Sequence, residues 1–380
     1  ELIIKRTGGN PFFIEEVCHS LMEANIVEVD KAKQAILTQA LETLAIPDKV
    51  HAIISARFDR LDFDAKETLR IASVVGRRFE QKILEKIYKG KAPLSQVLEQ
   101  LKSLEMIQQT RVFLEAEFWF RHTLTKEVIY NSLLLRHRKV MHGLVGEIIE
   151  ELYPNRIEEQ ANLLQYHFSM AENWSKAVQY GRLSAEKALN LSQFNEAVKM
   201  FDHVLECLSR LPEDRIRRET QLDIILQQER LYETLGQRGQ QQKINDKLIS
   251  LAEPDKDQVI LAEIYIRQGD LYTQTGNYDE AELFVNNAIS KWRTLSDAAG
   301  ESRSLRSMGF LRWHQGRFKE ALKCNEEALA IDRQRKDVMA TATDLNNLGA
   351  VLRNLEDHGR SLRCLEEALR IYETMEKPVK

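Results

Sequence analysis

The feature that most constrains this chain is an internal repeat in its second half. Gly269, Gly309 and Gly349 stand 40 apart, and Gly236, Gly276 and Gly316 keep the same period. Tyr278 and Phe318 follow it, as do Ala281, Ala321 and Ser361, and then Ala288, Ala328 and Ala368. Self-similarity at a fixed spacing marks an array of supersecondary units that stack to bury a shared core. Each unit reads as helix, short turn, helix, over 261–275 and 279–295, 301–315 and 318–333, and 339–355 and 359–375. Small residues where two helices cross let the backbones approach, while larger residues fill the groove between them. Gly276-Asn277-Tyr278-Asp279-Glu280-Ala281 supplies a C-cap glycine, a turn, an aromatic plug and a new helix start. Only 7 Pro and 16 Gly occur in 380 residues, where average usage gives roughly 19 and 27. Long helices with short turns follow, which excludes β-sandwiches and collagen-like chains. A 43% hydrophobic content argues against global disorder.

The repeat resembles the tetratricopeptide repeat, with Gly269, Tyr272, Gly276, Tyr278, Ala281 and Ala288 at its small and aromatic positions. The period exceeds that family's usual unit of about 34 residues, which implies longer helices. Arg312 departs from the aromatic seen at Tyr272, and Glu356 from the turn glycine. Upstream, Gly236 keeps the phase, Glu229 replaces the crossing glycine, and Gly239 is expected to interrupt the next helix. Farther back, Trp174-Ser175-Lys176-Ala177 and Phe194-Asn195-Glu196-Ala197 repeat a turn-then-helix signature at half the period. A degenerate array over 157–211 is expected. Such arrays form a solenoid whose concave face is lined by the first helix of each pair. The resemblance implies peptide-facing residues Arg303, Arg306, Phe310 and Trp313 in one unit, and Thr343, Asn346, Asn347, Arg353 and Asn354 in the next. Arginine and asparagine there would hold peptide carboxylates and backbone amides.

The first half reads differently. Thr7-Gly8-Gly9-Asn10-Pro11-Phe12 gives a loop, an Asn N-cap and Pro in the first turn of an amphipathic helix reaching about residue 24. Helices follow over 46–61 and 64–75, with a turn at 76–79 and shorter helices over 80–88 and 93–104. Segments 106–110 and 112–121 have β-like composition and form a candidate hairpin, before helices over 124–135 and 138–152. Three helices followed by a hairpin make a winged-helix pattern.

Residues 1–210 resemble the segment after the nucleotide-binding core in the STAND class of signalling ATPases, particularly bacterial ones joined to adenylate cyclases, protein kinases or transcription regulators. Four stretches carry the resemblance: Gly9 to Glu16; Ile46-Pro47 with Ala56 to Leu61; Ala72 to Phe79; and Phe120 to Leu124 with Glu127 to Tyr130. His142 and Leu164 to Phe168 also fit. The resemblance implies that Gly9, Asn10 and Pro11 lie at the adenine and that His122 senses the bound diphosphate. Thr123 follows that histidine where plant and animal members often have Asp.

No Gly-x-x-x-x-Gly-Lys-Ser/Thr occurs, so the backbone amides that cradle phosphates are missing from this sequence. No catalytic residues, metal ligands or cofactor are therefore expected within the chain, and ATP or ADP is assigned to a full-length parent. The first residue is Glu1 rather than Met, and the chain is expected to begin just after the catalytic half. His137 and His142 are five apart, off the spacing that sets two ligands on one helix face. The net charge of −4 shows no basic excess for nucleic acid, and the 93–105 helix offers Lys102 against Glu99 and Glu105. No transmembrane run or signal peptide is evident, and Cys18, Cys207, Cys324 and Cys364 show no CxxC pairing. A cytoplasmic setting follows as the expectation.

The expected architecture is mainly α: a tetratricopeptide-like α-α superhelix preceded by a winged-helix module with a small β-hairpin. Expected divisions are 1–45 (ATPase lid helices), 46–135 (winged helix), 136–215 (degenerate repeats) and 216–380 (tetratricopeptide repeats of the long period). The expected function is regulatory: the groove binds a partner peptide or output domain, and the winged helix relays nucleotide state from an upstream ATPase domain in cis. The alternatives are a transcription regulator acting on DNA, or a non-catalytic segment of a multidomain adenylate cyclase or protein kinase.

Overall fold

A computed structural model describes residues 11–23, 27–29, 35–37, 50–110, 116–252 and 258–376. The chain divides into two compact units between Leu211 and Pro212.

In the first unit, α1 (Pro11–Glu23) precedes a short antiparallel pair, β1 (Val27–Val29) and β2 (Ala35–Leu37). Then come α2 (Val50–Arg60), α3 (Phe63–Val75), β3 (Arg78–Glu80), α4 (Gln81–Ile87), α5 (Leu94–Ser103), β4 (Ile107–Thr110) and β5 (Glu117–Phe120). Asp62 starts α3 by accepting from the Ala65 backbone N–H at 2.8 Å. Ala65, Leu69, Ala72 and Val75 make α3 the buried centre of this module. The hairpin β4–β5 forms, and β3 joins it to give the antiparallel order β3-β5-β4. The segment expected to turn at 76–79 thus ends in a strand. The short Arg-Phe-Glu run gives no alternating signal. What holds it is Phe79, buried opposite Phe118 with the rings 6.0 Å apart and 5.7 Å from Phe120.

Helices α6 (Thr123–Ser132) and α7 (Leu135–Leu152) follow the sheet. Then α8 (Ile157–Met170), α9 (Trp174–Asn190) and α10 (Phe194–Ser209) pack in succession. Glu172 and Ser192 end α8 and α9 in the left-handed conformation at φ 58° and 57°.

The second unit stacks α11 (Arg215–Thr234), α12 (Arg238–Leu251), α13 (Gln258–Thr275), α14 (Tyr278–Thr294), α15 (Ala298–His314), α16 (Phe318–Arg335), α17 (Val338–Asn354) and α18 (His358–Glu376). Gly239 does not interrupt α12; it is that helix's second residue, where backbone N–H groups lack intrahelical partners anyway. Gly236, Gly276, Gly316 and Glu356 close the first helices of successive pairs at φ 67°, 83°, 74° and 62°. A Cβ at any of the three glycines would meet nothing within 4 Å. Their requirement is therefore conformational, and Glu356 adopts the same turn against the usual cost of φ > 0 for a residue with a Cβ. Ser296 and Lys336 end α14 and α16 in the same way. The left-handed turn thus recurs at half the repeat period, marked by glycine only at every second turn. Asp297 and Asp337 cap α15 and α17 by accepting from Gly300 and Ala340.

Candidate functional site

Each crossing glycine makes room for one side chain on the second helix of its pair. A Cβ at Gly269 would lie 2.4 Å from Val285, one at Gly349 2.7 Å from Leu365, and one at Gly309 2.9 Å from both amide atoms of Asn325. Two of these partners are apolar; Asn325, 3% exposed, is not. Glu229 occupies the equivalent place on α11 and is fully buried. It accepts from Gln241 at 2.6 Å and pairs with Arg267 at 2.5 Å, which also reaches Glu263 at 3.0 Å. Charge replaces close backbone approach at that crossing.

A cavity of about 200 Å³ opens between α15, α16 and α17. Arg306, Phe310, Trp313 and Asn347, four of the residues assigned to peptide contact, line it together with Gly309 and Asn325. The other five are not among its lining residues. Arg303 pairs with Glu263 at 3.1 Å and lies 5.5 Å over the Trp292 ring. Thr343 donates to the Met339 carbonyl and Asn354 to the Ala350 carbonyl. Asn346 and Arg353 are placed on α17, Asn346 on its exposed side and half-buried Asn347 beside it. Phe310 meets His314 edge-on at 4.4 Å.

Arg306 is committed more deeply than the sequence reading implies. Its Nη1 donates to Asp332 at 2.7 Å and to Asp344 at 3.0 Å, and both carboxylates are fully buried. Ser302 donates to Asp332 at 2.5 Å, and Arg335 pairs with it as well. Burial pushes the Asp344 carboxyl up to about 7. Burial also opposes ionisation of Asp332, but the donors Ser302, Arg335 and Arg306 outweigh it and hold that group below the usual carboxylate range. Burial likewise raises Asp270 to about 7. Asn325, Asp332 and Asp344 do not stand out in the sequence as site residues. Their signal was the repeat itself: Asn325 stands in register with Val285 and Leu365, and Asp332 with Trp292 and Tyr372. Arg312, which breaks the aromatic position, makes a forked pair with Glu282 at 2.5 and 2.8 Å.

In the first unit, Gly9 and Asn10 lie outside the described residues, and Pro11 is the exposed first residue of α1. His122 occupies the N-cap position of α6 without a side-chain capping bond, and its Nε2 lies 3.7 Å from Glu15 on α1. Arg121 pairs with Glu15 at 2.6 Å and with Glu105, while His19 lies 3.2 Å from Glu105. Glu15, His19 and Glu105 place one ligand atom each within 4.8 Å of one another. The Arg121 guanidinium already supplies the positive charge there. On α5, Lys102 is tied to Glu99 at 2.8 Å and to Gln109 at 3.0 Å.

Elsewhere in this unit, His142 of α7 and His167 of α8 share a hydrogen bond, Nδ1 to Nδ1, of 2.9 Å. Tyr130 bonds His142 Nε2 at 3.0 Å. Both histidine rings are buried. Burial, with the Lys126 and Arg138 cations, lowers His142 to about 4; burial and His142 itself lower His167 to about 3. The four cysteines are free thiols. Among the described residues, no helix is long and apolar enough to cross a membrane.

The tetratricopeptide repeat family matches residues 260–334 and 300–374, so that stretch is tetratricopeptide repeat. Among curated proteins, an uncharacterized protein of Rhizobium meliloti (strain 1021) is 27% identical over 212 residues, covering 54% of this chain and 20% of that protein. The regulatory protein RapG of Bacillus subtilis (strain 168) is 24% identical over 205 residues, covering 53% and 52%. The chain thus spans about half of one curated relative and a fifth of the other. Solved structures give distant likenesses. BtubC from P. vanneervenii has a TM-score of 0.47 at 18% identity, over 65% of this chain and 94% of that one. A Rap protein complexed with competence and sporulation factor has a TM-score of 0.46 at 13% identity, over 66% and 70%. A STAND protein with a tetratricopeptide repeat sensor from Pyrococcus horikoshii has a TM-score of 0.42 at 14% identity, over 98% of this chain and 56% of that one.

Proposed function

We propose that this chain is the regulatory, partner-binding arm of a cytoplasmic signalling ATPase of the STAND type, and not itself an enzyme. The carrying observation is the cavity between α15 and α17, where Arg306, Phe310, Trp313 and Asn347 converge. Phe310 and Trp313 offer apolar area, and Asn347 offers an amide able to pair with an extended peptide backbone. RapG, a regulatory protein by name, is a curated relative, which supports a regulatory role of the same broad kind.

The second part of the proposal is the relay. Glu15 on α1 meets both Arg121 and His122 at the edge of the winged helix. A nucleotide held by the ATPase domain near Pro11 would compete for that cluster and alter how α1 sits on the winged helix. ATP or ADP belongs to that domain in the parent polypeptide. Peptides selected by display against the chain should lose at least 10-fold in affinity on Phe310→Ala or Asn347→Ala; unchanged affinity contradicts the groove. In the parent, ADP affinity should fall with Pro11→Ala and His122→Ala, and an unchanged value contradicts the relay.

A further inference from the structure

Asn325 is polar at a position that is apolar in the repeats on either side. In the preceding and following pairs the same position holds Val285 and Leu365, each packed beneath its own crossing glycine. At Asn325, Nδ2 donates to the Ala321 carbonyl at 3.0 Å, which fixes the amide orientation, since a flipped amide would set two acceptors face to face. The remaining atom, Oδ1, is buried and has no hydrogen-bond partner. Trp313 Nε1 is likewise buried without one. Both residues line the cavity, whose other walls include Phe310, Ala350 and Val351. An unmade bond at a buried polar atom is costly, and a ligand group that reached these atoms from the cavity would complete them.

Resting on the groove reading above, we propose that this cavity is a pocket for one tyrosine side chain of the partner peptide, its hydroxyl donating to Asn325 Oδ1. Three observations select tyrosine. One acceptor and one donor are vacant, and a hydroxyl is a neutral group that both donates and accepts. The walls Phe310, Ala350 and Val351 call for an apolar body larger than serine or threonine provides. Charge is disfavoured: Arg306 is already matched by Asp332 and Asp344, so the cavity holds no uncompensated charge that calls for a carboxylate, a phosphate or a lysine. The repeat makes the pocket particular to one unit. Phe310 stands in register with Asp270 and Ala350, and Trp313 with Thr273 and Arg353.

The test uses N-acetyl-tyrosinamide and N-acetyl-phenylalaninamide as probes, titrated into the full ¹⁵N-labelled chain. The Trp313 indole N–H resonance is assigned by its loss in Trp313→Phe. Tyrosinamide should shift it saturably and bind at least 10-fold more tightly than phenylalaninamide, as expected when a buried acceptor is otherwise left unpaired. Asn325→Val installs the residue of the preceding repeat. It should remove the preference while leaving the thermal midpoint unchanged or higher, an outcome a purely structural Asn325 would not give. Equal affinity for the two probes, no saturable shift, or a preference that survives Asn325→Val overturns the pocket. Display-selected peptides that still bind through Phe310 and Asn347 without a tyrosine preference overturn the pocket alone. Tyrosinamide binding with no peptide binding at all overturns the groove reading and with it the peptide origin of the ligand.

Discussion

The two units bury ionisable groups of opposite kind. In the first, His142 and His167 are bases kept neutral by burial and joined to each other. In the second, Glu229, Asp332 and Asp344 are acids held by arginines from adjacent helices. The first unit's polar pair has one place to sit, where α6, α7 and α8 meet. The second is built from equivalent positions, and its acids replace side chains that are small or apolar one repeat away. Within a solenoid, polarity at a buried register therefore distinguishes one repeat from its neighbours.

The largest effect tests the apolar side of that contrast. Trp292 is 1% exposed and packs with Ala262, Ile266 and Ala288, beside Gly300, where a Cβ would lie 2.1 Å from the ring. Trp292→Ala should cost about 3–5 kcal/mol of stability by denaturant unfolding. Asp332 holds the same register one repeat on. Asp332→Ala leaves Arg306 and Arg335 short of a partner and should cost about 3 kcal/mol, the low end for a broken buried pair, because Asp344 remains for Arg306. A cost below about 1 kcal/mol would mean that the network is no more than a surface ion pair.

Acidification should separate the units by sign. The folded pKa of His167, about 3, lies below its unfolded value, so its contribution is complete above about pH 6.5 and lost as pH falls. Between pH 7 and 5 the loss is on the order of 2 kcal/mol. Asp344, raised to about 7, behaves oppositely: its folded form is favoured at low pH and penalised as pH rises from its unfolded value towards that one. Hydrogen exchange read by mass spectrometry should show α7 and α8 losing protection towards pH 5, with the loss reduced in His167→Phe. Asp344→Asn should flatten the opposing trend around α15 to α17. The smallest effect concerns the turns: Glu356→Gly restores the residue of the other three first-helix turns and should add about 0.5–1 kcal/mol.

The repeat was legible because glycine and alanine at crossings are dictated by backbone distance and leave a fixed spacing. Asn325 and Asp332 were not, because a polar residue on an amphipathic helix ordinarily marks a solvated face. Only comparison with Val285 and Trp292, one repeat earlier, shows that these positions are buried. The shorter turn period was half hidden, since Ser296, Lys336 and Glu356 adopt the left-handed turn without glycine. Strand β3 escaped because its cause is non-local, the packing of Phe79 against Phe118 and Phe120. Arg303 and Arg306 were located by the tetratricopeptide resemblance, but their carboxylate partners lie on other helices, where spacing gives no guide.

Photo-crosslinking tests the central claim most directly. p-Benzoylphenylalanine replaces Phe310, which is 36% exposed beside the cavity, or Leu283, which is 60% exposed on α14. With a display-selected peptide, the account predicts strong labelling from position 310, competed away by unlabelled peptide, and little from position 283. Equal labelling from the two positions, or labelling only from 283, would contradict a partner site between α15 and α17.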